Sequence, residues 1–191
     1  MSKDFLDNIF ERAATGKTLV KNRRSLSIDY VPEKLSFRDE ETKTIAHTLS
    51  AVLKGTRPSN LLLFGKPGTG KTAVVKNVIG RLHTKAQELG IEVIVPFINA
   101  KTANTAYKVL FEIAEEMGIN KEEKKLQVYF TGLSMGEATD RILDFIKKRK
   151  KLHVIIIIDE IDSLVDKNGD DILYNFTRAN ERIFEGGFIS L

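Results

Sequence analysis

The stretch that decides the fold is Gly65-Lys66-Pro67-Gly68-Thr69-Gly70-Lys71-Thr72. It lies between an apolar run and a helical pattern. The preceding run, Leu61-Leu62-Leu63-Phe64, predicts a buried strand over 61–64. The pattern that follows predicts a helix from Lys71 to about Leu89, ended by Gly90. A strand, a glycine-rich loop and a helix N-terminus in this order direct backbone N–H groups at an anion. The stretch therefore predicts a phosphate-binding loop.

The residue types inside this loop suit the chemistry of a magnesium nucleotide. Its three glycines allow positive φ angles, so that the backbone can approach the phosphates closely. We expect Lys71 to reach the β- and γ-phosphates and the Thr72 hydroxyl to bind Mg²⁺. The remaining positions are expected to line the nucleotide: Lys66, Pro67 and Thr69. The alternative is a glycine-rich turn between a strand and a helix that binds nothing.

A second candidate segment is an apolar strand that ends in two carboxylates. Ile155-Ile156-Ile157-Ile158 leads directly into Asp159 and Glu160. In a parallel sheet the carboxyl ends of the strands share one edge with the phosphate-binding loop. We expect Asp159 to hold Mg²⁺ and Glu160 to act as the general base that orients the attacking water. The alternative is an acidic pair that caps the next element.

Composition excludes several classes of protein. The 191 residues are 42% hydrophobic and 29% charged, with a net charge of +4. With no cysteine, disulfides and thiolate metal sites are excluded. No apolar run approaches the roughly 18 residues of a membrane span, and no secretory signal begins the sequence, so we expect a cytoplasmic protein without a membrane partner. The single histidines are interpreted as surface or core residues: His47, His83 and His153.

The order of the predicted elements indicates an α/β fold with a mostly parallel sheet flanked by helices. Besides the helix at Lys71, helices are predicted over 3–14, 38–53, 103–117 and about 170–184, and after a capping box at Ser134 and Glu137. Strands are predicted at 61–64, 91–98, 154–158 and 188–191, with Pro96 indicating an edge or a bulge. We divide the chain into an N-terminal helix and basic linker, 1–28, and a core, 29–191.

The two motifs together resemble the AAA+ ATPases. Two further segments, Asp29–Glu41 and Phe130–Ser134, narrow the resemblance to DNA replication initiators of the origin-recognition and cell-division-control type, most like the archaeal ones. The resemblance covers roughly 20–191. It implies an ATPase that binds ATP or ADP with Mg²⁺, recognises double-stranded origin DNA in the nucleoid and helps to load the replicative helicase. Other initiator copies are further expected partners.

The resemblance also implies particular contacts. Tyr30, Val31 and Pro32 match the family segment that packs on the adenine. An initiator-type insertion at about 101–133 is implied to touch DNA, through a set of candidates that could equally belong to a solvated Lys/Glu loop: Lys121, Lys124, Lys125 and Tyr129. In the family, a sensor Asn, an arginine finger, a helical lid and a winged-helix domain follow the core. None of these follows here, so we expect an N-terminal fragment. The resemblance therefore does not extend to ATP hydrolysis by this fragment alone.

The residues alone are also compatible with two other functions. Another AAA-type ATPase, associated with transposition or signalling, would share the loop and the acidic pair. It would lack the Tyr-Val-Pro segment and the Phe-Thr-Gly-Leu segment. A nucleotide-gated binding module with negligible turnover is the second alternative. Glu160 argues against it for a whole protein, and the truncation argues for it in this chain.

Overall fold

The structure is a computed structural model, and it describes residues 5–15, 27, 30, 32, 35–119, 132–149, 151–183 and 187–191. The chain divides into two compact units, Met1–Glu33 and Lys34–Leu191. Within the described ranges, no helix combines the length and the apolar character needed to cross a bilayer.

The first unit contains an amphipathic helix. Helix α1 spans Phe5–Thr15, close to the helix expected over 3–14. Its large apolar side chains are exposed: Phe5, Leu6, Ile9 and Phe10. Asp7 lies in the first turn, where the positive end of the helix dipole favours a carboxylate.

The second unit alternates helices and strands, which confirms the predicted α/β class. Its α-helices are α2 (Asp39–Leu49), α3 (Lys71–Glu88), α4 (Ala100–Ala103), α5 (Ala106–Glu116), α6 (Met135–Lys147), α7 (Asp162–Asn168) and α8 (Asp171–Thr177). Two 3₁₀ helices span Ser50–Lys54 and Ala179–Arg182. The strands are β1 (Glu92–Ile94), β2 (Phe97–Asn99), β3 (Leu152–Ile155), β4 (Ile157–Asp159) and β5 (Phe188–Ser190).

The strands pair in parallel, as predicted. Strands β1, β3 and β5 lie side by side in that order, and β2 pairs with β4. The strand predicted over 91–98 is therefore two strands, broken at Pro96. Proline has no N–H to donate to a ladder, but its carbonyl accepts from the N–H of Ile157 at 2.8 Å. The break lies at the β1 edge of the sheet, in agreement with the expectation that Pro96 marks an edge or a bulge.

Helices cover both faces of the sheet. On one face, α5 and α6 contribute buried side chains such as Ile113 and Ile142 to a cluster that includes Val154. On the other face, α2 and α3 contribute residues such as Leu49 and Val78 to a cluster that includes Ile155. Successive residues of a strand point to opposite faces, so the neighbouring Val154 and Ile155 serve the two cores. Burial on both faces explains the continuous apolar run of the sequence.

The prediction of a buried strand over 61–64 is wrong. Leu62 is 77% exposed and Phe64 is 89% exposed, and the segment has no strand geometry. A single backbone hydrogen bond joins it to the segment after β5, from the N–H of Leu61 to the carbonyl of Leu191 at 2.9 Å. Among the described residues, no backbone hydrogen bond pairs residues 62–64 with a neighbouring strand. An apolar run predicts burial, but pairing depends on what lies next to it.

Two predicted helices are interrupted. The helix expected over 103–117 begins earlier, at Ala100, and breaks at Asn104, which has a φ of 64°. Thr105 then caps α5, and its hydroxyl accepts from the N–H of Lys108. Asn and Thr compete with a helix by bonding to nearby backbone groups, which explains the break. The helix expected at about 170–184 is α8 followed by a 3₁₀ helix, and α7 was not predicted.

The capping box before α6 is confirmed. The Ser134 side chain accepts from the N–H of Glu137, and the Glu137 carboxylate accepts from the N–H of Ser134 at 2.8 Å. These hydrogen bonds from Ser134 lower the pKa of Glu137. The helix that follows buries apolar side chains, among them Ala138, Ile142, Leu143 and Ile146.

The core of the sheet contains a histidine with an unsatisfied ring nitrogen. His153 on β3 is 7% exposed, and its ring centroid lies 4.0 Å from that of Phe188. Its Nδ1 is buried without a hydrogen-bond partner. Burial disfavours the charged imidazolium and so lowers the pKa of His153. The other two histidines, His47 and His83, lie at exposed positions on helices.

Because burial lowers the pKa of His153, stability is expected to fall in acid. Below the unfolded pKa of about 6.5 the unfolded chain binds the proton more readily, so unfolding becomes easier until the folded pKa is passed. Thermal melts between pH 8 and pH 5 should show this decline flattened in His153→Leu. The exposed His83→Gln is the matched control and should keep the slope of the unsubstituted chain. An unchanged slope in His153→Leu would assign the acid sensitivity to other groups.

Candidate functional site

The loop that precedes α3 has the backbone conformation that its glycines predict. Gly65, Gly68 and Gly70 have φ angles of 152°, 75° and 86°. Gly70 is the N-cap of α3, an 18-residue helix that begins at Lys71 as predicted. A Cβ at Gly70 would meet no neighbouring atom, so its requirement for glycine comes from the positive φ alone. The N-terminus of α3 thus opens at the loop and can attract an anion.

The ammonium group of Lys71 lies over the loop itself. Its Nζ donates to the carbonyl of Gly65 at 2.8 Å and to that of Lys66 at 3.2 Å. The Thr69 hydroxyl also donates to the Lys66 carbonyl, at 2.9 Å. These bonds brace the two ends of the loop and place a positive charge where its backbone turns. Lys71 is therefore positioned to meet an anion held by the loop.

The two sequence motifs meet at Thr72 and Asp159. These residues are 87 positions apart, yet the Thr72 hydroxyl donates to Oδ2 of Asp159 at 2.8 Å. Asp159 ends β4, and Thr72 lies in the first turn of α3. The other carboxylate oxygen, Oδ1, accepts from the N–H of Glu160 at 3.1 Å. A hydroxyl oxygen and a carboxylate are thereby held together beside the loop.

This pair of oxygen donors fits Mg²⁺. Magnesium prefers oxygen ligands and is usually held by one or two carboxylates together with phosphates of the substrate, rather than by a cage of protein groups. Among the described residues, no three His, Asp or Glu side chains cluster to hold a metal ion. The residues that would hold Mg²⁺ are Thr72 and Asp159.

Glu160 occupies the turn directly after β4. Its φ of 55° is in the left-handed region, which is costly for a residue with a side chain and is found where surrounding contacts impose it. The side chain is 45% exposed, and its Oε2 lies 3.9 Å from Nζ of Lys101. The carboxylate is accessible to water at the edge of the sheet where Asp159 ends β4.

The structure does not test the other predicted contact residues. Tyr30, half-exposed, and Pro32 belong to the first unit, while Val31 lies outside the described residues. The DNA candidates also lie outside the described residues, in the segment 120–131: Lys121, Lys124, Lys125 and Tyr129. The adenine and DNA contacts therefore stay predictions.

The sequence reading missed two residues at this edge, Asn99 and Lys101. Asn99 ends β2 and is the register partner of Asp159. Its side chain accepts from the N–H of Thr102 and caps α4. The sequence contained a signal for these residues. The carboxyl ends of adjacent parallel strands meet at one edge of a sheet, so polar residues that follow an apolar strand are expected at that edge.

A family profile described as AAA domain matches residues 54–185, which include the loop, Thr72, Asp159 and Glu160. That match covers more than half of the chain. The chain belongs to the AAA domain family.

Curated relatives agree with the resemblance stated from the motifs. The ORC1-type DNA replication protein of Cenarchaeum symbiosum is 39% identical over 187 residues, which cover 96% of this chain and 44% of the relative. That of Thermococcus onnurineus is 37% identical over 183 residues, which cover 96% of this chain and 43% of the relative. The resemblance to archaeal replication initiators is confirmed. The chain spans less than half the length of these relatives.

A solved structure has the same fold. The Aeropyrum pernix ORC1 protein, in complex with DNA, superposes with a TM-score of 0.77 at 38% sequence identity. The match covers 89% of this chain and 42% of that chain. The predicted fold class, a phosphate-loop AAA+ core with a parallel sheet flanked by helices, is confirmed.

Proposed function

We propose that this chain binds Mg·ATP and is the ATPase core of a DNA replication initiator. The observation that supports this most directly is the 2.8 Å hydrogen bond between Thr72 and Asp159, which joins the two motifs of the sequence beside a glycine-rich loop. The test is calorimetric titration of Mg·ATP into the chain and into its Lys71→Ala variant. Loss of binding heat in the variant is the expected result.

The loop and α3 would hold the phosphates of ATP or ADP. Backbone N–H groups of the loop and the positive end of the α3 dipole supply directional, fixed attraction for the anion. Lys71 adds a full positive charge beside them, exchanging its contacts with the carbonyls of Gly65 and Lys66 for phosphate oxygens. Lys66, Pro67, Gly68 and Thr69 would form the wall of the phosphate site. Tyr30, Val31 and Pro32 would pack on the adenine.

Thr72 and Asp159 would hold Mg²⁺, which neutralises charge on the phosphate oxygens when bound. Their hydrogen bond keeps the two oxygen donors 2.8 Å apart. Asp159 is fixed by β4 and Thr72 by the first turn of α3, so neither donor depends on a loop for its position.

Glu160 would act as the general base for hydrolysis. A carboxylate next to the phosphates can orient a water molecule and accept its proton during attack on the γ-phosphate. Glu160 follows Asp159 directly, and its N–H is held by the Asp159 carboxylate at 3.1 Å. The backbone would therefore carry the base and the Mg²⁺ ligand into one site, where hydrolysis would convert ATP to ADP.

We further propose that the whole protein recognises double-stranded origin DNA in the nucleoid and helps to load the replicative helicase, alongside other initiator copies. The 37–39% identity to ORC1-type DNA replication proteins along 96% of this chain supports the proposal. So does the likeness to the Aeropyrum pernix protein, which is itself in complex with DNA. The insertion at about 101–133 would contribute DNA contacts through Lys121, Lys124, Lys125 and Tyr129.

Replacing Lys121, Lys124 and Lys125 together with Ala is expected to weaken DNA binding. Each lost phosphate contact should make the slope of log Kobs against log salt shallower by up to about 0.9. The measurement is a salt titration of duplex binding by fluorescence anisotropy. A matched control replaces three exposed lysines elsewhere, Lys43, Lys54 and Lys85, and removes the same charge. Equal slopes in the two triple variants would assign the insertion lysines to a solvated loop.

A further inference from the structure

A groove of about 620 Å³ runs along the outer edge of β1, on the face of the sheet that α3 covers. Its walls include Ile79 and Gly80 of α3, Val95 and Phe97 of the sheet edge, and Glu116 at the end of α5. We call it the β1 edge groove. Of the described residues that line it, none belongs to the proposed nucleotide site.

Strand β1 gives this groove an unpaired backbone edge. It is the outermost strand of its sheet, and it continues across Pro96 in the same register with which β2 follows β4. The carbonyl of Pro96 points inward, because it accepts from the N–H of Ile157. Backbone groups of successive residues in a strand point to opposite sides, so those of Val93 and Val95 point outward. Within the described part of the chain, neither has a backbone partner on that side.

The free edge ends at Phe97. Its outward N–H donates to Oε2 of Glu116 at 2.7 Å, so a side chain takes the place of a neighbouring strand there. The stretch from Val93 to Phe97 spans roughly 13 Å, the length of about four residues of an extended peptide. An unpaired strand edge is a template for another strand, and peptide-binding domains use such edges in this way. The shape of the site therefore fits an extended segment.

Lys76 places a positive charge at the Phe97 end of the groove. Its Nζ lies 5.1 Å from the centroid of the Phe97 ring, and it has no ion-pair partner among the described residues. Lys85 of the same helix, by contrast, pairs with Glu88. Of the described lining residues only Glu116 is acidic, and its carboxylate is already bonded to the backbone. The charge of the groove is thus complementary to an acidic side chain.

We propose that the β1 edge groove binds an extended acidic segment of a partner protein, which adds to the sheet as a strand beside β1. Backbone hydrogen bonds to Val93 and Val95 hold the segment. Every second side chain of a strand faces the same way, so apolar residues of the segment pack against Ile79 while an Asp or Glu meets Lys76. This surface does not depend on the proposed chemistry of the nucleotide site.

The probe is a library of random heptapeptides, displayed on phage and selected on the immobilised chain. Selected peptides should alternate apolar and polar residues and carry an Asp or Glu. Fluorescence anisotropy of a labelled selected peptide gives its Kd. Changing its acid to the amide should weaken binding by about 1.5- to 5-fold, and N-methylation of two backbone nitrogens by about tenfold. Strand addition is wrong if no peptide is selected or if N-methylation has no effect.

Two variants locate the peptide on the chain. Gly80→Leu fills the groove, since a Cβ at Gly80 meets no atom within 4 Å, and Leu is a better helix former than Gly, so the fold should be retained. It should weaken binding by at least about tenfold. Lys76→Gln should remove the preference for the acidic peptide over its amide, which Lys85→Gln, the matched control, should keep. Unchanged binding in a folded Gly80→Leu variant overturns the proposal.

Hydrogen exchange separates a partner segment from other occupants of the edge. The amides of Val93 and Val95 should exchange quickly in the dilute chain and slowly once the selected peptide is bound. Slow exchange in the dilute chain would mean that the chain covers its own edge. Slow exchange that appears only as the chain is concentrated, with dimers in analytical ultracentrifugation, would mean that a second copy covers it. Either result contradicts the proposed partner segment.

Discussion

Replacing Lys71 with Ala is expected to weaken ATP binding by about 100-fold or more. Hydrogen bonds to charged groups contribute about 1.5–3 kcal/mol each, and the ammonium would form at least two with phosphate oxygens. Nζ leaves the carbonyls of Gly65 and Lys66 when it turns to the phosphates, so the loss of affinity comes from the missing phosphate contacts. Isothermal titration calorimetry with Mg·ATP measures the change.

The control for this variant is Lys85→Ala on the same helix. Lys85 lies in the last turn of α3 and pairs with Glu88, so its removal changes the net charge equally without touching the loop. Circular dichroism melts establish that both variants are folded. Retention of the original affinity in Lys71→Ala would mean that the phosphates do not bind at residues 65–72.

Replacing Glu160 with Gln is expected to leave ATP binding intact and to lower the hydrolysis rate by about 100-fold or more. Gln has nearly the same shape but cannot accept the proton of the attacking water. The Mg²⁺ donors Thr72 and Asp159 are unchanged, so affinity should be preserved. Calorimetry gives the affinity. The rate is measured as release of labelled phosphate under single-turnover conditions. The measurement is made on this chain and on a longer protein that matches the length of its relatives.

Glu112→Gln provides the comparison for this second variant. Glu112 is also paired with a lysine, Lys108, at 3.7 Å, but it belongs to α5, which does not contribute to the loop. Its hydrolysis rate should equal that of the unsubstituted chain. A Glu160→Gln variant with an ordinary rate would remove Glu160 as the base. A variant that loses affinity would instead give it a role in binding.

Features set by local sequence were predictable. The start of α3 at Lys71, its end before Gly90 and the capping box at Ser134 and Glu137 each depend on a few neighbouring residues. The meeting of Thr72 with Asp159 was also predictable, although they are 87 positions apart. A general rule supplied it, because the carboxyl ends of parallel strands share one edge.

Features set by the neighbours of a segment were not predictable. The run from Leu61 to Phe64 has the composition of a central strand, yet its backbone pairing depends on what lies beside it. The break at Asn104 reflects a competition between two hydrogen-bonding arrangements whose balance a helical pattern does not contain. The contact between Lys101 and Glu160 joins residues of two strand ends and depends on the register of β2 with β4.

The loop at residues 65–72 is anchored unequally at its two ends. On the exit side, α3 is fastened by buried side chains such as Val74 and Val78. On the entry side, hydrogen bonds at Pro58, Asn60 and Leu61 precede a segment whose Leu62 and Phe64 are exposed. We therefore expect a displacement of the loop to move α3 together with α2, against which α3 packs.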